Sequence, residues 1–535
     1  MPTADPRSPV DDHRPPWPDL EQFLRHRPAP APYLTELCHA RGTRREWTTE
    51  RWRAWVGAVA ADLHERGAGP GAAVAALAGN SAEALVVAYA CWWLGACYVP
   101  LGPQETAARQ RFILADADVV LLVHTGEQSV RAQELAAGSP VALCRTDELP
   151  EPGPGQVPAA AGVDRPAVRL YTSGTTGEPK GVVLTLANLW TDLDGLQRVY
   201  GWDAGTRVLT VLPVHHANAL VISSLLAWSS GASTVLCDRF RGDRFWADAA
   251  AEGATTASLV PTLLEFLLAA DGSPPPGFRE VLCGAGPLAA DTALRFEDRF
   301  GLPVRHLYGL SETTCVAAAM PALAAADRRH WHTAYGFPSI GAALPHAELA
   351  VLAPDGTSLP AGVRGEIGVR GGMVMREYAG RPDATAEAFR HGWFHTGDEG
   401  FWQPGPHGEP AYFVTGRLKE LIIRGGHNIS PFEIDEVLQG HPRVRFGLAV
   451  PFEHRLYGDE VAAYVVPDGE VSEGEVLAWC AERLDFALQP KVVVFGEDVP
   501  FTATGKAKRL ELAGRLAPVL AAHRETSFRR PRAEA

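Results

Sequence analysis

Residues 171–182 read YTSGTTGEPKGV, and the rest of the chain is best understood outward from them. Gly174 and Gly177 free the backbone to wrap closely, so that successive N–H groups converge on an anion. Thr172, Ser173, Thr175, Thr176 and Lys180 add hydroxyl and ammonium donors within the same short stretch. This composition describes a phosphate grip. The spacing is not GxxxxGK[ST] and no GxGxxG accompanies it, so P-loop NTPase and dinucleotide oxidoreductase readings lose their main support. An ordinary Ser/Thr/Gly turn is the bland alternative, and the density of donors outweighs it.

An apolar strand leads into this turn and a helical segment leaves it. Farther out, VVLLV (119–123), RVLTVL (207–212), STVLC (233–237) and REVLCG (279–284) alternate with Ala/Leu-rich helical stretches. That alternation predicts an α/β fold with parallel-rich sheets covered by helices. Toward the N-terminus, Trp52 to Leu63 has helical apolar spacing, GAGPG at 67–71 turns the chain, and VAALAG at 74–79 reads as a buried strand. Shorter Gly/Val-rich strands between 341 and 414 (ELAVL, GEIGVRG, YFVTG) suggest a small β-rich subdomain. From Leu421 the order strand, loop, helix, strand, strand, helix, strand predicts a compact α+β unit of about a hundred residues. The expected division is a loose Pro/Asp/Arg-rich arm at 1–30, a large domain at 31–418, a small domain at 419–524 and a frayed tail at 525–535. The boundary falls near GRLKE, 416–420.

A chain of 535 residues exceeds one hydrophobic core. Its 46% apolar and 21% charged residues are those of a globular protein. The net charge of −14 opposes a phosphate backbone, which excludes general nucleic-acid binding. Eight cysteines occur without CxxC or paired His spacing, so neither a zinc site nor a disulfide framework is suggested, and Cys283 and Cys315 read as small buried hydrophobes. The N-terminus has prolines and acids where a signal peptide needs a basic patch and an apolar core. The uncharged runs Ala84 to Pro103 and Asn218 to Cys237 read as a buried helix followed by a buried strand rather than as membrane spans. A cytoplasmic protein is expected.

Other segments have chemistry of their own. In YGLSETT (308–314) Glu312 is the sole acid among hydroxyls, and Mg²⁺ on a triphosphate needs a hard carboxylate oxygen beside the phosphates. Alone, Tyr308 would read as a core aromatic, Asp398 as a turn aspartate and Lys506 as a surface charge. Together, YTSGTTGEPKG, LPVHHANAL (212–220), GAGPL (284–288), YGLSETT, GWFHTGD (392–398), GRLKELIIRGGHNISPFEIDEVL (416–438) and TATGK (502–506) resemble, in order, the motifs of the adenylate-forming superfamily of acyl-CoA synthetases, firefly luciferases and peptide-synthetase adenylation domains. The resemblance covers about 50 to 506.

The resemblance implies a large adenylation domain followed by a small mobile one, and assigns roles. The phosphate loop with Thr172, Ser173, Gly174, Thr175, Thr176, Gly177 and Lys180 holds ATP. Tyr308 and Gly309 stack on adenine against a wall of Gly284, Ala285 and Gly286. Glu312 binds Mg²⁺, with Thr313 near the α-phosphate. Asp398 accepts from the ribose hydroxyls, assisted by Arg417. Lys506 bridges the acid's carboxylate and the α-phosphate. His216 guards the acid pocket, whose lining includes Asn218, Ala219, Val260 and Gly309, with His215 in a place often aromatic in relatives. Rotation about Lys419 exchanges Lys506 for a thiol channel at Gly425 and Gly426.

The implied reaction is activation of a fatty or aryl acid as its adenylate with release of pyrophosphate, then transfer to the thiol of coenzyme A. The same motifs also admit a carrier protein or an amine as acceptor, or nitrite as the activated oxyacid. A light-emitting oxidation and a non-catalytic regulator are the more distant alternatives, and intact Lys180, Glu312 and Lys506 oppose the latter.

Overall fold

A computed structural model of the chain describes residues 7, 16–29, 31–155, 157–172, 179–405, 408–425, 427–501 and 507–526. Six strands, Pro32–Cys38, Ser233–Cys237, Arg207–Thr210, Thr256–Leu259, Glu280–Cys283 and Val304–Tyr308, lie side by side in that spatial order, all parallel. Ala142–Arg145, Val119–His124, Ala73–Leu77, Cys97–Leu101 and Pro166–Thr172 form a second parallel set. The apolar runs of these strands are continuous rather than alternating because both faces are covered. Ala73–Leu77 and Cys97–Leu101, for instance, are buried at every residue.

Between the two sheets runs a shared core that takes in Val208 and Leu236 from one, Val74 and Leu121 from the other, and the helices between them. Helix Ala82–Leu94 is apolar all round, as a sandwiched helix must be; Ser81 caps its start and Gly95, at φ 68°, its end. Helix Leu186–Tyr200 starts with a Thr185/Asn188 capping box and stops at Gly201. The second uncharged run does contain a helix before its strand, but Ala219–Leu226 is wound as a π-helix.

Two expectations change in detail. The β-rich segment is antiparallel and extends the first sheet edge to edge: Ala318–Ala319, Ser339–Ala343, Pro410–Arg417, Phe394–Pro404, Gly365–Gly371 and Ala347–Leu352 bring it, with Thr43–Thr48 at the far edge, to thirteen strands. The expected loose arm contains a docked helix, Leu20–His26, capped by Asp19. Leu20 and Phe23 are fully buried, the Phe23 ring stacks on Trp190 at 4.2 Å, and the buried Arg27 donates to the Ala227 carbonyl. The arm's prolines and charges mask this short apolar stripe in the sequence.

Strand Pro410–Arg417 ends the large sheet, and Ile422–Arg424 begins a five-stranded sheet with His427–Ile429, Val444–His454, Gly458–Pro467 and Val492–Phe495. Helices Pro431–Gln439, Glu473–Ala481 and Arg509–Leu520 accompany it. Within this unit Arg509 makes a two-pronged ion pair with the buried Asp435. Helix Pro431–Gln439 also faces the large domain: the N–H of Ala290 donates to Glu436 at 2.7 Å, and the Ser430 hydroxyl donates to the Thr415 carbonyl.

Candidate active site

Open α/β sheets bind ligands beyond the carboxyl ends of their strands, and here Tyr308, Gly284, Val260 and Leu212 follow or end neighbouring parallel strands. A cleft at this edge is lined by Ala285, Gly286, Tyr308, Gly309, Asp398 and Arg417. Phe432, Asp435 and Glu436 of helix Pro431–Gln439 close its other side. The small residues are sterically required. A Cβ on Gly284 would stand 2.7 Å from the Leu307 carbonyl oxygen, and one on Gly309 would stand 2.0 Å from that of Cys315. Ala285 holds φ 64° between its two glycines.

Tyr308 donates its hydroxyl to Asp398 at 2.7 Å, and Arg417 Nε reaches the other oxygen of Asp398 at 3.0 Å. Asp398 and Arg417 are register partners on adjacent strands, so the ladder fixes their separation. Burial and the neighbouring Asp398 charge push the Tyr308 hydroxyl far above its ordinary pKa, which keeps it a donor. A ribose diol could share the Asp398 acceptor, and a flat base fits a cleft walled by Tyr308, Ala285 and Gly286.

At the phosphate grip, strands Pro166–Thr172 and Lys180–Thr185 pair antiparallel and place Thr172 opposite Lys180. Ser173, Gly174, Thr175, Thr176 and Gly177 lie outside the described residues, as do Gly426 and Lys506. Lys180 Nζ sits 4.8 Å above the Tyr378 ring, a cation–π contact. The Tyr378 hydroxyl in turn donates to Glu312 Oε1 at 2.9 Å. One aromatic side chain thus connects the grip's lysine to the carboxylate expected to hold magnesium. Glu312 is buried, and desolvation raises its pKa; a divalent cation would reverse that effect, so the hard, desolvated carboxylate fits one. Thr313 is fully buried, accepting from the Leu310 N–H. Thr314 follows at φ 64°, ψ −66°, with the Cys315 N–H donating to the Thr313 carbonyl at 2.7 Å, a strained γ-turn tied down by the Thr314 hydroxyl on the Met373 carbonyl.

The two imidazoles of the LPVHHANAL turn lie 4.4 Å apart. Burial pushes His215 down to about 3 and His216 down to about 4, so both are neutral. Neither ring nitrogen of His215 has a partner among the described residues, nor does Nε2 of His216. Asn218 accepts from the Ser258 hydroxyl at 2.8 Å, and Ala219 and Val260 are buried beside it. Lys419 lies exposed in the turn between the domains, and Gly425, at φ 57°, donates to the Tyr457 carbonyl. Phe501 and Ala507, which flank 502–506, line a second cleft with Val260 and Pro261. Cys283 and Cys315 are buried thiols whose pKa values burial raises.

Sequence reasoning missed Tyr378, which enters through the two-residue strand Glu377–Tyr378 at the edge of the second sheet. It also missed Asn80, whose amide donates to the Leu212 and Cys237 carbonyls and accepts from the Val214 N–H, pinning the histidine turn. Neither belongs to a motif. A lone aromatic and a lone amide carry no signal until the fold brings them in.

The family model described as AMP-binding enzyme matches residues 21–379, and that of the AMP-binding enzyme C-terminal domain matches residues 433–506. A sulfoacetate–CoA ligase of Cupriavidus necator is 36% identical over 76% of this chain and 80% of its own length. A feruloyl-CoA synthase of an Amycolatopsis species is 34% identical over 86% of this chain and 92% of its own. The structure of o-succinylbenzoate coenzyme A synthetase from Bacillus subtilis, in complex with ATP and a magnesium ion, superposes with a TM-score of 0.80 at 27% identity, covering 92% of this chain and 98% of that one.

Proposed function

This chain belongs to the AMP-binding enzyme family, and on that premise we propose that it is an AMP-forming acid–thiol ligase: it activates an organic acid with ATP and transfers the acyl group to coenzyme A. A carboxylate does not acylate a thiol directly because oxide is a poor leaving group. In the first half-reaction a carboxylate oxygen attacks the α-phosphorus, the bond to the β-phosphate oxygen breaks, and pyrophosphate leaves. In the second, the thiolate attacks the acyl carbon, the bond from that carbon to the adenylate oxygen breaks, and AMP leaves.

The observation that carries this reading is the chain Lys180, Tyr378, Glu312, which sets an ammonium and a hard carboxylate around one place for a triphosphate. Glu312 would hold magnesium, which would supply charge neutralisation on the phosphates. Lys180 with the 172–177 loop grips them, and Thr313 lies by the α-phosphate. Tyr308, Gly309 and the 284–286 wall hold adenine, and Asp398 with Arg417 holds the ribose. Lys506 stabilises the charge that develops between carboxylate and α-phosphate. His216, Asn218, Ala219 and Val260 border the acid, and His215 and His216, both neutral, offer hydrogen bonds rather than charge. We assign residues 31–418 to the adenylating domain and 419–524 to a domain that turns about Lys419, bringing the Gly425–Gly426 segment to the thiol. We infer a cytoplasmic location, where ATP and coenzyme A are at hand; among the described residues no helix is long and apolar enough to cross a membrane.

The test is acid-dependent pyrophosphate release with Mg-ATP, followed by identification of the product when coenzyme A is added. Lys506→Ala is expected to abolish pyrophosphate release while a supplied acyl-adenylate is still converted to thioester. Equal loss of both steps would contradict the two-conformation scheme, and absence of acid-dependent pyrophosphate release would sink the ligase reading.

A further inference from the structure

The large sheet has a second place where strand ends converge. Strands Pro32–Cys38 and Ser233–Cys237 are parallel neighbours, with Leu37 in register with Cys237. His39 is the first residue after one, Cys237 is the last of the other, and Asp248 stands on the buried face of helix Phe245–Ala251. One donor atom from each of the three lies within 4.8 Å of the other two, a grouping found nowhere else among the described residues. The nucleotide cleft is elsewhere: strands Arg207–Thr210, Thr256–Leu259 and Glu280–Cys283 separate Ser233–Cys237 from the strand that ends in Tyr308. His39 and Asp248 are 209 positions apart, so no sequence spacing announces the group.

A thiolate, an imidazole and a carboxylate form the donor set that borderline divalent metals take, zinc above all. Cys237 and Asp248 are buried, whereas His39 is part-exposed and opens the group to solvent, so an ion has a way in. His39 Nε2 is 2.7 Å from Asp248 Oδ2, the two sharing a proton where an ion would stand between them. The carboxylates of Asp248, Asp238 and Glu252 all bear on the Cys237 thiol. Arg44 and Arg207 answer Glu252, and Arg244 lies 3.5 Å from Asp248. Asp238 accepts the Ala40 N–H with one oxygen, but its Oδ1 is buried without a partner among the described residues. Acceptor capacity is therefore left over at this spot, which suits a cation and the water it carries.

We propose that His39, Cys237 and Asp248 bind one zinc-class divalent cation, with water in the fourth position, as a clip across the strand ends. Tetrahedral zinc sets its donors about 3.3–3.8 Å apart, a contraction within the reach of side-chain rotation. On binding, the thiol proton goes to solvent and the imidazole proton moves to Nδ1, which frees Nε2 for the metal. Thiolate and carboxylate then balance the two charges of the ion. The clip fastens the edge hairpin of Pro32–Cys38 and Thr43–Thr48 to the adjoining strand and to a helix. It also braces the histidine turn, because the Asn80 amide that holds the Cys237 carbonyl holds Leu212 and Val214 as well.

Cobalt(II) is the probe, since a thiolate–cobalt bond absorbs in the near ultraviolet and oxygen or nitrogen ligands alone do not. Full-length protein stripped of metal by a chelator is titrated with cobalt(II) and then with zinc, with thermal midpoints taken in parallel. Wild type is expected to bind one cobalt ion per chain with the thiolate band, and zinc should bleach that band and raise the midpoint. Cys237→Ser should lose the band. His39→Gln and Asp248→Asn should weaken zinc binding by roughly a hundredfold or more, beyond what the loss of a supporting partner costs. Cys38→Ser, which removes the thiol beside Asp238, should keep the band. A wild type without the band at saturating cobalt overturns the proposal, as does a band that survives in Cys237→Ser or vanishes in Cys38→Ser. Should Cys237→Ser not fold, His39→Gln at the part-exposed position decides alone, and unchanged zinc affinity there sinks the site. The readout needs no substrate, so the site stands or falls independently of the ligase reading.

Discussion

At the residue scale, Tyr378 belongs to no motif yet touches two residues of the site. Its hydroxyl is a donor to Glu312 and its ring supports Lys180, so Tyr378→Phe removes one function and keeps the other. A hydrogen bond to a charged group contributes about 1.5–3 kcal/mol, and kcat/KM for pyrophosphate release is expected to fall roughly 10- to 100-fold. Tyr378→Ala, which removes the ring as well, should fall further, and identical activity of Phe and wild type would show that the hydroxyl is idle. The histidine pair yields a pH prediction. Both folded pKa values lie below the ordinary value of 6.5, so the unfolded chain takes up protons that the folded one refuses. Stability is therefore expected to be unaffected by these rings above pH 6.5 and to decline as pH falls from 6.5 toward 4. Replacing His215 with Phe should flatten that decline in thermal midpoints taken across the range.

At the scale of elements, strand ends and the tight turns after them build the cleft, and glycine is required where two backbones touch. Gly309→Ala would drive a methyl to 2.0 Å from the Cys315 carbonyl oxygen. Overpacking of this kind costs about 1–3 kcal/mol, seen as a lowered thermal midpoint, and it should weaken ATP binding because the displaced segment leads back to Glu312. An unchanged midpoint would mean the turn yields freely. These elements also show what could be read from sequence. The parallel strands were legible because burial on both faces leaves unbroken apolar runs, as in AVAAL (73–77) and STVLC, and the site motifs were legible because their working residues are contiguous. The π-helix Ala219–Leu226 was not, since a segment buried on every side carries no apolar period that would distinguish its winding. Tyr378 was silent for another reason: it acquires meaning only from residues more than sixty positions away that the tertiary fold sets against it.

At the scale of the whole molecule, the contact between domains is itself titratable. Burial pushes Glu436 up to about 7 where it accepts from Ala290 at the start of the Ala290–Phe300 helix. A raised carboxyl pKa means the docked form holds a proton that the undocked form has released. Docking is thus expected to be favoured below about pH 4.5 and to weaken as pH climbs from there through 7. Glu436→Gln should remove that slope, measured as protease cutting at the exposed turn of residues 418–420 between pH 5 and 8. The same slope in the variant would assign it to other groups.

The turn carrying Lys419 begins directly after the strand on which Arg417 grips Asp398. A swinging arm needs a bearing that stays still, and with Asp398 and Arg417 assigned to the ribose as proposed above, the bearing would be bolted to the sugar of the nucleotide. AMP is then the natural last passenger: it steadies the axle until the thioester has left, and product-inhibition patterns with AMP competing directly against ATP are the kinetic trace it should leave.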